Sequence, residues 1–229
     1  ELENLRKQVL TMGGLVEAQC RSALDALVKG DAILAESVAT SDYKVNELEV
    51  QISAECTDIL ARRQPAASDL RMLVAIIRMT ADLERIGDEA EKIGRLALKL
   101  AESHDKQSYQ VEPLHLGDSV LEMLSGALDA FARLDVEAAI QVAARDPEID
   151  RAFESLTRLL ITHMMEQPRG VRNMLQVNWC ARALERVGDH AVNLCEEVIY
   201  LVKGSDVRHL SQAEIEKKFL SEESPGQKN

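Results

Sequence analysis

Two stretches of this chain carry the same acidic signature, LERIGDEAEKI at 83–93 and LERVGDHAVNL at 184–194. Six of the eleven positions are identical. Each copy sets a Glu and an Asp four residues apart: Glu84/Asp88 and Glu185/Asp189. On a helix that spacing puts both carboxylates on one face, about 40° apart. Two more polar pairs with the same spacing lie upstream, Asp42/Asn46 and Asp146/Asp150. Oxygen donors gathered this way suit hard cations such as Mg, and oxophilic iron or manganese. A structural zinc site prefers Cys and His, and neither type is paired here. Paired carboxylates can also move protons in catalysis. A convex helix face offers no pocket to exclude water, however, and the chain has no glycine-rich phosphate loop and no GxSxG. The expectation is a protein that is not an enzyme.

An acid pair on a lone helix is ordinarily a solvated face, and like charges at that spacing cost roughly a few tenths of a kcal/mol. Three features argue for more. The pair recurs at the same place in both copies. Gly87 and Gly188 stand inside otherwise good helices, at about 1 kcal/mol each relative to Ala, which points to close approach by a neighbour. The upstream pairs would join them if the elements that carry them are neighbours.

Those elements repeat as well. LDAL at 24–27 returns as LDAF at 128–131, Asp31 as Asp135, and RQPAAS at 63–68 as EQPRGV at 166–171. A period of about a hundred residues means two copies of one unit. Each unit reads as three long helices. The first ends at Lys29-Gly30, a helix stop. Asp31 caps a second helix running to about Arg62. Pro65 breaks the chain, and Ser68 caps a third helix to about Glu102. In the second unit Asp135 is the cap, Pro147 an early kink or restart, Gln167-Pro168 the break and VKG at 202–204 the stop. The expected fold is all-α, two tandem three-helix bundles related by internal duplication. The expected boundaries are 1–103, a polar linker at 104–113, 114–204, and a polar tail at 205–229 with room for a turn or two of helix in AEIEKKFL.

The apolar stripe of the first motif helix is Leu83, Ile86, Ala90, Ile93 and Ala97; that of the second is Leu184, Val187, Ala191, Leu194 and Val198. The acids fall about 100–140° from the leucine that opens each stripe, on its flank or outside it. Arg85 and Arg186 are expected to pair with neighbouring helices, His190 to lie on the surface, and Trp179 and the methionines to pack.

Composition agrees with helices. Apolar residues make up 46% of 229, aromatics only 3%, with 11 Gly and 5 Pro to punctuate turns. Net charge is −12 with no Lys/Arg cluster, which disfavours nucleic acid and direct docking on an anionic membrane. The longest apolar run, MLVAII at 72–77, is far short of the ~20 residues of a membrane span. The charged, amphipathic start ELENLRKQVL does not read as a signal peptide. Cys20, Cys56, Cys180 and Cys195 form no CxxC pair and read as buried free thiols of a reducing compartment.

The two LERxGD motifs in tandem resemble the PhoU family. The resemblance extends over nearly the whole chain, through LTMGGLVEAQ at 10–19, RQPAASDLR at 63–71, ADLERIGDEAEKI at 81–93, LDAFARLD at 128–135 and CARALERVGDHAVNLCE at 180–196. It implies a cytoplasmic, non-enzymatic regulator of phosphate homeostasis. Such a protein represses the phosphate-starvation regulon when phosphate is plentiful and restrains uptake. Its implied partners are the ATPase subunit of a phosphate ABC transporter and a sensor histidine kinase, so it meets the membrane only through them; a homodimer is expected. Family members that carry iron or zinc clusters do so on paired E(D)xxxD motifs. That pattern maps onto Glu84/Asp88, Glu185/Asp189 and Asp146/Asp150. Asn46 replaces one carboxylate of the pair with Asp42, leaving the first site with less charge. The alternative reading is a helical metal-binding protein whose carboxylates chiefly hold iron or other divalent ions (Fe, Zn, Mn or Mg).

Overall fold

The structure, a computed structural model, describes residues 1–41, 43–103 and 112–220. Among them there is no β-strand; the elements in order are α1 (Leu2–Lys29), α2 (Ala32–Ala39), α3 (Tyr43–Arg62), α4 (Ala67–Ala101), α5 (Glu112–Arg133), α6 (Val136–Ala143), α7 (Asp146–Glu166), a 3-10 turn (Pro168–Gly170), α8 (Val171–Lys203) and α9 (Gln212–Phe219). α1–α4 repeat as α5–α8.

Local chemistry sets the boundaries. Gly30 and Gly204 close α1 and α8 in the left-handed conformation, φ 63° and 68°, where a side chain would be strained. Asp31 and Asp135 accept from the amides of Leu34 and Ala138, both at 3.0 Å, as helix caps. Ser68 does not cap: α4 already begins at Ala67, behind Ala66 and without a side-chain cap.

The expected middle helix is two helices in each copy. Thr40 and Ser41 turn their hydroxyls back onto the carbonyls of Glu36 and Val38 at 3.0 and 3.1 Å. That satisfies the end of α2 locally, and the chain need not continue helical. In the second copy Pro147 sits in the first turn of α7, where its missing N–H is harmless but would break a continuous helix. The described part of the tail, residues 205–220, is more ordered than its polarity suggests. Ser211 and Glu214 form a reciprocal capping box, Ile215 is buried, and Gln212 donates to the Ile140 carbonyl at 3.1 Å. The linker expected at 104–113 lies almost wholly outside the described residues.

α4 and α8, 35 and 33 residues long, are the central pair, each roughly 50 Å in length. In each copy the preceding three helices pack against them: α1, α2 and α3 on α4; α5, α6 and α7 on α8. α4 also packs on α8, and α1 on α5. Arg78 meets Glu197 while Glu89 meets Arg186, so α4 and α8 run antiparallel. The α1–α5 contact is built on two matching sockets. Leu128 fills the space above Gly13, and Leu24 the space above Gly117; in each case an added Cβ would stand 2.5 Å from the leucine methyl. The buried apolar residues form one continuous cluster through both copies. All ten stripe residues of the two motif helices lie in it.

Candidate functional site

In the second copy α7 and α8 bring the expected acids together. Ile149 of α7 packs on α8 at Gly188, where an added Cβ would lie 3.4 Å from Ile149 Cγ2, an ordinary contact, so the close approach expected to require glycine is not found at this position. With α7 seated here, Asp146 and Asp150 lie beside Glu185 and Asp189. The proximity is felt electrostatically. Burial, then Asp150 and Asp189, push the Asp146 carboxyl up to about 6. Glu185 is raised by burial and then by Asp189, with Arg182 opposing. Asp189, though exposed as a residue, is raised by partial desolvation of its carboxyl and then by Asp150, with Arg182, His190 and Arg186 opposing. Asp150 and Asp189 are exposed, Asp146 is half-buried, and Glu185 is buried. One Glu185 oxygen accepts from Arg182 Nη1 at 2.7 Å, and Arg182 in turn lies over the Phe153 ring. The other, Oε2, is buried without a partner.

That donor set fits a cation in type and charge: four carboxylates with hard oxygen donors, mutual repulsion to relieve, and one orphaned carboxylate oxygen. It is not a closed coordination shell. Among the described residues no three His, Cys, Asp or Glu side chains are grouped tightly enough to hold a metal ion.

The first copy is the weaker counterpart. Glu84 is half-buried, and Asp88 and Asn46 are exposed, on α4 and α3. Asp42 lies outside the described residues. Here α2 approaches α4 over Gly94, where a Cβ would stand 3.0 Å from Val38 Cγ1 and 3.1 Å from the Ala35 carbonyl.

A second polar stripe, which the sequence reading missed, runs along the α4–α8 seam. Asp82 of α4 is buried and receives His190 Nδ1 at 2.9 Å and Asn193 Nδ2 at 3.1 Å. Arg186 Nη1 lies 2.6 Å from Glu89. Arg78 reaches Glu197 at 3.2 Å. His190 is therefore not a surface residue; it is 9% exposed, engaged with the other copy. Arg186 pairs with a neighbouring helix as expected, whereas Arg85 pairs within its own, with Asp82 at 3.6 Å. The signal was present in the spacing: Arg186, His190, Asn193 and Glu197 step by four, three and four, the rhythm of one helix face. Beyond the seam, burial and then Glu197 push the half-buried Glu196 up to about 7. Trp179, expected to pack, is half exposed.

The PhoU domain model matches this chain twice, over residues 9–97 and 114–198. The chain belongs to the PhoU family. Its PhoU relatives include a phosphate-specific transport system accessory protein PhoU homolog from Pseudomonas putida, 51% identical over 92% of this chain and 82% of that protein. The phosphate-specific transport system accessory protein PhoU of Escherichia coli K12 is 43% identical over 98% of this chain and 92% of that one. The crystal structure of PhoU from Pseudomonas aeruginosa superposes with a TM-score of 0.86 at 48% identity, covering 89% of this chain and 98% of that chain. That of the phosphate transport system regulatory protein PhoU from Streptococcus pneumoniae gives 0.84 at 31%, covering 90% and 97%. The PhoU fold thus extends over 89–90% of this chain. Among the described residues no helix is long and apolar enough to cross a membrane. All four cysteines are free and buried.

Proposed function

We propose that this protein is a non-enzymatic, cytoplasmic regulator of phosphate homeostasis. It represses the phosphate-starvation regulon when phosphate is plentiful and restrains phosphate uptake by linking a phosphate ABC transporter to a sensor histidine kinase. The observation that carries the reading is the double PhoU match along a chain whose relatives are accessory and regulatory proteins of phosphate transport by name. The architecture supports it. The repeated acids stand on helix faces rather than in an enclosed pocket, an arrangement suited to docking against basic surface on the transporter's ATPase subunit or the kinase. The test is alkaline phosphatase from a starvation reporter in phosphate-rich cells lacking the native protein. Wild type should hold it low, and a folded Glu84→Ala, Asp88→Ala, Glu185→Ala, Asp189→Ala variant should let it rise. A reporter that stays high with wild type sinks the assignment.

A metal-binding role is the second reading. The orphaned Glu185 Oε2 and the repulsion among Asp146, Asp150, Glu185 and Asp189 favour it in the second copy. Fe, Zn, Mn or Mg held there would neutralise the cluster. Chelation separates the two: an adaptor still co-purifies with its partners, whereas a protein built around the ion loses stability.

A further inference from the structure

A cleft opens at the seam where the C-terminal end of α4 meets the N-terminal end of α8. Its cavity is about 620 Å3, lined by Lys99, Arg169, Arg172, Leu175, Gln176 and Trp179 among others. A smaller one of about 370 Å3 adjoins it, sharing Lys99, Arg172 and Gln176, with Glu102 on its wall. The Asn173 amide fixes that wall by donating to Ser103 Oγ at 2.9 Å.

Three observations make this a site rather than a surface dent. First, in a chain of net charge −12, three cations line one cleft without an ion pair among the described residues. Second, Gln176 is 6% exposed, and its Oε1 is buried with no hydrogen-bond partner. A buried amide oxygen left unpartnered is costly unless something else satisfies it. Third, α8 starts here behind Gly170 with no side-chain cap, so the positive end of its dipole lies at the cleft and favours an anion.

The duplication provides an internal control. Aligning Leu83 with Leu184 sets Gln176 against Ala75 and Trp179 against Arg78. Ala75 is fully buried. Arg78 is satisfied by Glu197 and lies over the Tyr200 ring. The chain closes that end of the seam with its own groups, and at the Gln176 end it leaves cations, an amide and an indole turned to the cleft.

We propose that this cleft binds a nucleotide-class ligand: a phosphate-bearing molecule with a planar aromatic base. Lys99, Arg169, Arg172 and the start of α8 take the phosphates, which three cations suit better than a single carboxylate would. The unpartnered Gln176 Oε1 accepts a hydrogen bond from an N–H of the ligand's base. Trp179, half exposed beside Leu175, offers a flat face on which a base stacks. The cavity is far larger than orthophosphate needs and lies in the range of small-molecule sites. This stands apart from the regulatory reading, because binding is measured on the purified chain whatever the reporter does.

Trp179 is the single tryptophan, so its fluorescence reports this cleft alone. The full chain, with EDTA to remove cations from the acidic faces, is titrated with ATP, GTP, ADP, pyrophosphate and orthophosphate, with calorimetry in parallel. At least one nucleotide should quench saturably and bind at least tenfold more tightly than pyrophosphate or orthophosphate, the order of one good stacking contact. A Lys99→Ala, Arg172→Ala variant should weaken it by roughly tenfold or more, and Gln176→Ala, which copies Ala75, by several-fold. By calorimetry Trp179→Ala should weaken nucleotide but not pyrophosphate. Arg95→Ala, an exposed cation already paired with Glu91, should change nothing. Absence of saturable nucleotide binding overturns the proposal, as does nucleotide affinity that ignores Lys99→Ala, Arg172→Ala. Pyrophosphate binding as tight as ATP and indifferent to Trp179→Ala overturns the assignment of a base.

Discussion

Arg186, the arginine of the second acidic motif, places its guanidinium 2.6 Å from Glu89, the residue that follows Asp88 of the first motif. The two copies are thus bonded to each other through the segments that define them. Glu89 is buried and Arg186 half exposed. Lys92 also reaches Glu89, at 3.1 Å, so losing Arg186 does not strand the carboxylate. Arg186→Ala should destabilise by about 1 kcal/mol. A double-mutant cycle with Glu89→Gln in urea should return a coupling of similar size. Additivity within error would mean the pair contributes nothing.

The raised carboxyls fix the sign of a pH effect. Asp146 at about 6 and Glu196 at about 7 both lie above the ordinary range near 4. The folded chain holds protons that the unfolded chain has released, so stability rises as pH falls from about 7 toward 5 and is lost as pH climbs through the folded values. Asp206, held down to about 2 by Arg208, acts oppositely but only in stronger acid. The melting temperature should be higher at pH 5.5 than at pH 7.5 by on the order of 2–4 °C. Asp146→Asn should flatten the lower part of that slope, and Glu196→Gln the upper. A melting temperature that falls over the same interval would contradict the assignment.

Divalent ions should act on the same acids. Mn2+ or Mg2+ in excess should raise the wild-type melting temperature at pH 7.5 and have little effect at pH 5.5, where protons compete. Asp146→Asn, Asp189→Asn should remove most of the gain. Scanning calorimetry with and without chelator measures it, and an equal gain in the variant would place the ion elsewhere.

Two glycines on long helices should respond in opposite directions. A Cβ on Gly14 meets nothing within 4 Å, so Gly14→Ala should stabilise by about 0.5–1 kcal/mol through helix propensity alone. A Cβ on Gly94 would press on backbone atoms of Ala35 and Ala39 at 3.1 Å. Gly94→Ala should therefore cost about 1–3 kcal/mol net, because α2 must move away. Urea titration of the two variants decides it.

Burial should silence the thiols. It pushes Cys20, Cys180 and Cys195 up to about 12, far from a reactive thiolate at neutral pH. A disulfide reagent such as DTNB should leave the native chain unmodified over minutes and label four thiols in denaturant. Rapid native labelling would show that the core opens.

Much of this molecule is legible in its sequence because its signals are local. The stripes Leu83–Ala97 and Leu184–Val198, the glycine stops at Gly30 and Gly204, and the caps at Asp31 and Asp135 each depend on a few neighbouring residues. The breaks in the middle helices are subtler. Pro147 announces one, whereas Thr40 and Ser41 make the other through hydroxyl bonds that ordinary helix interiors tolerate. The seam was illegible for a different reason. Whether His190 faces water or Asp82 depends on how one copy sits on the other, which no single-helix pattern contains. Trp179 was misjudged likewise: an aromatic residue one turn before a buried stripe reads as packing until the cleft beside it is seen. Among the site residues, the gathering of Asp146, Asp150, Glu185 and Asp189 follows from the four-residue spacing on each helix once α7 packs on α8 through Ile149.

The reciprocal sockets, Leu128 over Gly13 and Leu24 over Gly117, have a consequence for the ancestry of the chain. Each copy offers the same knob and the same hole, so the contact obeys an internal twofold axis, the symmetry by which identical subunits associate. A protein made of one copy would bear both halves of the lock on one surface and could bury its open face against a twin. Joining two such genes end to end would turn that association from concentration-dependent to permanent. The fused partners would then be free to diverge, one end of the seam sealing itself with Arg78 and Glu197 while the other kept Gln176 and Trp179 open.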